Sequence, residues 1–255
     1  FLENVFDRAT EAGLASRLQA RISLTSETFT NLQATNAVAV IPGDNDEEVL
    51  VIDAHVDAWF DGAGDNADGV AVMLAMARHF ARPQNRPART LVFVASAGHH
   101  TTGLNGPRAF VASNPDLAAK AVLVLNVEHV AQRNFSMART TSADGYRHAI
   151  ADSGEAPIYA GVTNRAPLLD ALFERGVVEY GVNFVSQKSN MQSGETGGFS
   201  ALKAALVTVM QAPPLYHTTG EVLDVISTPG LERMARFLTF FVREAAKAPT
   251  SNLRP

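Results

Sequence analysis

The stretch 51–70, VIDAHVDAWFDGAGDNADGV, constrains the fold of this chain more than any other. It begins within an apolar run, 49–52, of the kind that forms a buried strand. His55 and Asp57 follow two residues apart, so an extended backbone points both side chains to the same side. A glycine-containing loop then leads to Asp65, and the residues after it have the pattern of a helix with an acidic first turn. This order concentrates imidazole and carboxylate groups at the strand's carboxyl end, where open α/β sheets bind ligands.

Further apolar segments predict more strands, and amphipathic segments between them predict helices. We expect strands at 36–43, 89–97, 121–127 and 203–210, an outer strand at 20–25, and helices at 1–20, near 107, at 167–175 and at 229–246. The rest of 131–200 is rich in Ser, Thr, Asn and Gly and shows no clear pattern. Alternating strands and helices predict a three-layer α/β/α sandwich with a mixed, largely parallel central sheet. We expect a single domain over 1–255.

Composition excludes several classes of function. The 255 residues include no cysteine, so thiolate metal sites and disulfides are excluded. A net charge of −5 without a basic block disfavours nucleic acid and anionic membrane as partners. No apolar run reaches the roughly 18 residues that span a bilayer. The chain begins with Phe and has no visible signal peptide, so we expect a processed form or a fragment of a longer chain.

The ends of the apolar segments carry the residues of greatest chemical interest. Any one of them alone is more often a surface or hydrogen-bonded residue than a ligand. Together, however, four segments bring His, Asp or Glu to the same edge of one sheet. A mixed set of imidazoles and carboxylates suits zinc best. A carboxylate that bridges two ions about 3.5–4 Å apart is the usual arrangement for hydrolysis by paired metals.

The motifs HVDAW, GAGDNADGVA, GLNG, NVEH and LYHTTGEVLD resemble those of the M28 family of zinc exopeptidases. The similarity extends from about 36 to 226, and the ordered set of motifs is specific. The resemblance implies the zinc exopeptidase fold and two zinc ions, with one ion as the alternative. It also implies a peptide or small aminoacyl substrate and a secreted or periplasmic location, while composition already argues against a nucleic-acid or membrane partner. It leaves the oligomeric state open.

The resemblance also implies a role for each matching residue. His55, the first residue of the H-x-D motif, is expected to bind one zinc ion, and Asp57 is expected to orient it as a catalytic residue. Asp65 is expected to bridge both ions. Glu128, a longer substitute for the family's aspartate, is expected to complete the ligands of the first ion. His217 is expected to bind the second ion.

One motif departs from the family pattern. Where the family has Glu-Glu, with the first as general base and the second as a zinc ligand, this chain has His99 and His100. Alignment from the preceding strand assigns His99 to the base position and His100 to the ligand position. Alignment backwards from Gly103 gives those positions to His100 and Thr101 and leaves no good donor for the ligand. We prefer the first alignment because neutral imidazole binds zinc well and can act as a base near neutral pH.

Three functions are compatible with these residues. The first is an aminopeptidase-type exopeptidase that hydrolyses peptide bonds with a zinc-activated water. The second is a catalytically weakened or inactive M28-like binding domain, and the third is a single-zinc transferase of the glutaminyl-cyclase kind. His129 and His148 belong to no motif and are expected to be structural or to support a ligand. Glu195 lies where the family often has a polar residue near the active site.

Overall fold

The structure is a computed structural model that describes residues 2–142, 145–154, 157–188 and 194–254. Its strands are β1 Ala37–Ile41, β2 Asn45–His55, β3 Arg89–Ser96, β4 Ala121–Glu128, β5 Phe135–Ser142, β6 Gly145–Asp152, β7 Ile158–Thr163, β8 Asn183–Lys188 and β9 Ala205–Gln211. Its α-helices are α1 Leu2–Glu11, α2 Asp68–Phe80, α3 Gly106–Ser113, α4 Pro115–Lys120, α5 Pro167–Tyr180, α6 Thr228–Lys247 and α7 Thr250–Leu253.

The chain separates into two compact units, and the larger one comprises 34–134 and 155–255. It contains a seven-stranded sheet in the order β1-β3-β2-β4-β9-β7-β8. The pairs at the centre of the sheet are parallel, while β1 pairs antiparallel with β3 and β7 with β9. The prediction of a mixed, largely parallel sheet is therefore confirmed. The prediction of a single domain over 1–255 stays a prediction.

Helices cover both faces of this sheet, as the uninterrupted apolar strands require. Alternate residues of β2 point to opposite faces. Leu50 and Ile52 pack in the core cluster that contains α2, α5 and α6, whereas Val49 and Val51 pack with Phe110 of α3 in a second cluster. The three-layer architecture thus follows from central strands that carry apolar residues on both faces.

The smaller unit comprises 1–33 and 135–154. It contains α1 and the antiparallel pair β5 and β6, a hairpin that the sequence pattern did not predict. The predicted outer strand at 20–25 is wrong, because these residues have no regular structure and their side chains are exposed. Alternation without a partner strand or an apolar surface to cover does not suffice to form a strand. Within the described residues, no helix has both the length and the apolar character needed to cross a bilayer.

Parallel pairing in the larger unit brings the carboxyl ends of four strands to one edge. Asp53 of β2 pairs with Asn126 of β4, so His55 and Glu128, two residues further along, end their strands side by side. On the other side of β2, His55 pairs with Ser96 at the end of β3. The chain runs from β2 through α2 to β3 on one side of β2, and from β3 through α3 and α4 to β4 on the other side. The strand order therefore reverses at β2, which makes this edge a topological switch point.

Arg89, at the start of β3, ties the sheet to the end of α6. Its side chain is 9% exposed, and its Nη1 donates to the carbonyl oxygens of Ala246 at 2.7 Å and Ala248 at 2.6 Å. Its Nε donates to Glu48 at 2.8 Å. The last carbonyl groups of a helix have no partner within the helix, and a buried guanidinium satisfies several of them at once.

We expect Arg89→Ala to lower the free energy of unfolding by about 3–5 kcal/mol, because it leaves a partly buried carboxylate and the helix-end carbonyls without their partner. The matched control is Arg86→Ala, which removes an exposed ion pair with Asp44 and one hydrogen bond to the carbonyl of Gly43 and should cost about 1–2 kcal/mol. Urea unfolding followed by circular dichroism measures both. Equal losses in the two variants would contradict the capping role of Arg89.

Candidate metal centre

Asp65 is the centre of the site, and each of its two carboxylate oxygens contacts two imidazole nitrogens. Oδ1 lies 3.1 Å from Nε2 of His55 and 2.9 Å from Nε2 of His129. Oδ2 lies 3.0 Å from Nε2 of His100 and 3.1 Å from Nε2 of His217. We call the donors around Oδ1 the first position and those around Oδ2 the second position. The division of nitrogens between the two oxygens is the arrangement that a bridging carboxylate requires.

The loop before α2 fixes Asp65 against the end of β4. The Asp65–Asn66 peptide bond is cis, and the Asn66 side chain is buried. Its Nδ2 donates to the carbonyl of Val127 at 2.9 Å, and its Oδ1 accepts from the backbone N–H of His129 at 3.0 Å. Asp68 extends this link, because its Oδ2 accepts from the next two backbone N–H groups, and burial raises its pKa to about 7. The loop and the end of β4 are therefore held in register.

The ring orientations of the first position direct lone pairs inward. Nδ1 of His55 lies 3.0 Å from the carbonyl oxygen of Asp57, and Nδ1 of His129 lies 3.3 Å from that of Gln211. A carbonyl can only accept a hydrogen bond, so these Nδ1 atoms carry the proton. When such a ring is neutral, its Nε2 presents a lone pair to Asp65. Lone pairs facing a carboxylate at about 3 Å repel it unless a positive charge lies between them.

These donors fit a pair of divalent cations. At the second position, Nε2 of His100 and Nε2 of His217 lie 3.1 Å apart. Zinc–nitrogen bonds of about 2.0–2.1 Å in a tetrahedral site place neighbouring ligand atoms about 3.3 Å apart. Burial by itself raises the pKa of Asp65, but the adjacent imidazoles of His129 and His55 lower it well below its usual range. Asp65 is thus a carboxylate that can serve two cations.

Glu128 lies beside the first position. Its Oε1 is 3.9 Å from Nε2 of His55 and 3.8 Å from Nε2 of His129, and its Oε2 accepts from Asn126 at 2.8 Å. Gly194 approaches so closely that a Cβ atom there would collide with this carboxylate. The amide and the glycine leave Glu128 one free oxygen, and that oxygen faces the imidazoles.

The His99–His100 segment is held by its backbone. The Asp57 carboxylate accepts from the N–H of His99 at 3.1 Å and from that of His100 at 2.7 Å. Burial by itself raises the pKa of Asp57, but these N–H groups lower it overall. We expected this carboxylate to orient His55, yet its nearer oxygen is 4.0 Å from Nδ1 and the backbone carbonyl of Asp57 makes that contact instead. His100 rather than Thr101 reaches Asp65, in agreement with the preferred alignment.

His99 forms a separate pair with Glu195. Its Nδ1 is 2.9 Å from Oε1 of Glu195, which is 4% exposed, and this hydrogen bond raises the pKa of His99 to about 9. The His99 ring stacks on His55 with ring centroids 4.2 Å apart, and its Nε2 lies 3.9 Å from Oε1 of Glu128. His99 therefore adjoins the first position without contacting the central carboxylate.

Aromatic rings border the second position. Tyr216 stacks on His217 with centroids 3.6 Å apart, and the half-exposed Trp59 lies 5.9 Å from the ring of His100. His217 adopts a left-handed backbone conformation with φ 58°, and its N–H donates to the buried Glu221 carboxylate at 3.3 Å. These contacts fix the loop that carries His217.

All of the residues selected from the sequence lie at this one edge: His55, Asp57, Asp65, His99, His100, Glu128 and His217. Sequence reasoning missed the position of His129 on Asp65 and the pairing of Glu195 with His99. Their only sequence signals were adjacency to Glu128 and the glycine-rich motif SGETGG. The side chain of His148 lies outside the described residues.

The model of peptidase family M28 matches residues 36–242. This chain belongs to peptidase family M28. The chain is 36% identical over 98 residues to a probable glutamate carboxypeptidase from Arthroderma benhamiae, a match covering 36% of this chain and 13% of that protein. A protein named an inactive zinc metalloprotease, from Schizosaccharomyces pombe, is 28% identical over 109 residues, covering 41% of this chain and 14% of that protein.

Among solved structures, a zinc aminopeptidase from Bacillus subtilis has a TM-score of 0.66 at 18% identity, covering 89% of this chain and 54% of that chain. This likeness confirms the predicted fold. The chain spans 13% to 20% of the length of the curated relatives it matches. It spans about half of the length of the similar solved structures.

We expect Asp65→Ala to abolish binding of both metal ions, because its two oxygens belong to different positions. The comparison variant is His217→Ala, which should lose only the ion of the second position. Metal content per chain after zinc reconstitution and dialysis measures both. Retention of one tightly bound ion by Asp65→Ala would contradict the bridging role.

We expect Asp57→Asn to weaken binding of the second ion by about 10–100-fold, the usual cost of losing a group that holds a ligand in place. The two backbone N–H groups donate to different oxygens of the carboxylate, and in an amide one of these oxygens is replaced by an NH₂ group that cannot accept. Zinc titration against a competing chelator gives the two affinities. Asp61→Asn, in the neighbouring exposed loop, serves as control, and equal affinities in both variants would show that Asp57 has no part in holding His100.

Proposed function

We propose that this protein is a metal-dependent exopeptidase of the aminopeptidase type that acts on peptides or small aminoacyl substrates with two zinc ions. The single observation that carries the proposal is Asp65, with two imidazole nitrogens on each carboxylate oxygen. The second pair, His100 and His217, is the reason for favouring two ions over the single ion of a cyclase-like transferase. A secreted or periplasmic location is proposed from the family resemblance alone.

Zinc ions at these positions would supply Lewis acidity toward a carbonyl group and lower the pKa of water. The other chemical requirement is a group that accepts and returns a proton. His99 meets it, because Glu195 holds its Nδ1 and its ring lies beside ligands of both positions, 4.2 Å from the ring of His55 and 4.8 Å from that of His100. The Glu195 carboxylate stabilises the charged imidazolium, as in other His–carboxylate pairs, and so raises the pKa of His99 to about 9 in the absence of metal ions. Two zinc ions nearby would lower this pKa and favour the neutral ring, which is the form that can accept a proton. The His99–Glu195 pair would thus replace the glutamate base of the family.

The exposed rings beside the second position suggest how a substrate is received. The ring of Trp59 lies 5.9 Å from that of His100 and 6.4 Å from that of His217. The ring of Tyr216 lies 3.6 Å from that of His217. Such rings contact an apolar side chain of a peptide terminus well. We therefore favour aminoacyl substrates with apolar side chains.

A second candidate function is that of a metal-binding domain without catalysis. The observation that favours it is the replacement of Glu-Glu by His99 and His100, which removes the family's general base. One relative is itself named an inactive zinc metalloprotease. The two candidates differ in turnover and agree in metal content, so both quantities have to be measured.

The experiment uses zinc-reconstituted protein and a panel of aminoacyl amides. We expect two zinc ions per chain and measurable, slow hydrolysis. His99→Ala should keep both ions and lower kcat by about 10²–10⁴-fold, the usual contribution of a positioned base. Glu195→Gln should lower kcat with little change in KM.

The control variant is His79→Ala, in the last turn of α2, at the end of the helix away from Asp65. It should leave kcat and metal content unchanged. Wild-type protein that holds two zinc ions but hydrolyses no member of the panel would refute the peptidase proposal and support the binding domain. A His99→Ala variant with full activity would refute the role of His99 alone.

A further inference from the structure

We propose that His129 is a fourth protein ligand at the first position, so that this position is closed while the second stays open. The first ion would be held by His55, Asp65, Glu128 and His129, and the second by three residues. This inference rests on the proposed pair of zinc ions and says which member of the pair can take a substrate.

His129 occupies a position equivalent to that of His55 with respect to both carboxylates. Its Nε2 is 2.9 Å from Oδ1 of Asp65, and that of His55 is 3.1 Å away. From Oε1 of Glu128 the corresponding distances are 3.8 Å and 3.9 Å. The two rings are nearly perpendicular, at 87°, so they approach the same oxygen from different sides. If His55 is a ligand, the same geometry makes His129 one.

The orientation of the His129 ring is that of a metal ligand. Its Nδ1 faces the carbonyl oxygen of Gln211 at 3.3 Å, which fixes the tautomer in which Nε2 is unprotonated. Ligating histidines commonly donate their other ring N–H to a carbonyl or carboxylate in this way. The side chain is 3% exposed, so bulk water does not reach the inward nitrogen.

The backbone is bent to bring His129 into the site. Successive residues of a strand point to opposite faces, so in a continuing strand His129 would point away from Glu128. Instead His129 has φ 51°, a left-handed conformation that is unfavourable for a residue with a Cβ atom. Asn66 accepts its N–H, and Asp68 accepts those of the next two residues. Three hydrogen bonds thus hold the turn that allows both Glu128 and His129 to face the first position.

Closure of the first position assigns different roles to the two ions. Four protein donors complete the tetrahedral set that is usual for structural zinc, whereas catalytic zinc has three protein donors and a place for water or substrate. The second position has three donors, Asp65, His100 and His217, and the His217 side chain is 38% exposed. The substrate carbonyl is therefore expected at the second position.

The test compares His129→Gln with His55→Gln and with the control His79→Gln. Glutamine keeps an N–H that can donate to Asp65 but is a poor zinc ligand, so a hydrogen-bonding role alone would survive. With four protein ligands, the first position should bind the tighter of the two ions. We expect both site variants to lower the affinity for this ion by more than the roughly 10–100-fold that loss of a group outside the ligand set costs. His79→Gln should match wild type. Zinc affinities come from chelator competition, and unfolding of the metal-free proteins in EDTA shows whether each variant folds.

Cobalt provides a readout that does not depend on activity. One equivalent of Co²⁺ in wild type should give the intense visible absorption of a four-coordinate ion, and His129→Gln should lose that intensity. Unchanged zinc affinity in His129→Gln, or a weak six-coordinate spectrum in wild type, would overturn the inference while leaving the peptidase proposal intact. Conversely, if His129→Gln loses the ion of the first position and wild type hydrolyses no substrate, His129 is supported as a metal ligand and the peptidase proposal is refuted.

Discussion

Four imidazole nitrogens lie within 3.1 Å of one buried carboxylate, that of Asp65. The rest of the site depends on this arrangement, which requires positive charge between the nitrogens and the carboxylate. In a neutral site, lone pairs would face Asp65 in an environment of low dielectric, where repulsion is strong. Divalent cations remove the repulsion and convert it into bonding. The hydrogen bonds that the Nδ1–H and backbone N–H groups donate keep the imidazole and carboxylate side chains in place against this repulsion.

The sheet supplies the scaffold for that concentration of donors. Parallel strands bring their carboxyl ends together, and the register of β2 with β4 places His55 beside Glu128. Apolar residues on both faces of these strands anchor the backbone in two separate cores. Sites supported by strand ends are positioned more accurately than sites on free loops. The buried side chains of Asn66 and Asp68 tie the loop before α2 to the end of β4, and Asp57, just after β2, holds the segment after β3.

The sequence was sufficient for the layers, the sheet and the ligand candidates, because these depend on apolar runs and on the residues directly after each run. It was insufficient where a residue's direction depends on one backbone angle. His129 was expected to be structural since strand alternation points it away from Glu128, and only its left-handed conformation reverses that. The contact between His99 and Glu195 joins residues 96 positions apart, and no local pattern predicts it. The hairpin β5–β6 was missed because its residues lack a strong apolar alternation.

The way Asp57 holds the segment after β3 has a consequence for the range of chemistry this fold can carry. Its carboxylate accepts hydrogen bonds from the main-chain N–H groups of His99 and His100, and any residue other than proline at these two positions supplies the same donors. Carboxylates or imidazoles can be exchanged there without rebuilding the loop. Harder cations prefer oxygen donors, whereas zinc, nickel and copper accept nitrogen. A substitution at two positions can therefore retune the metal preference of the whole centre, and the fold separates the evolution of its ligands from that of its backbone.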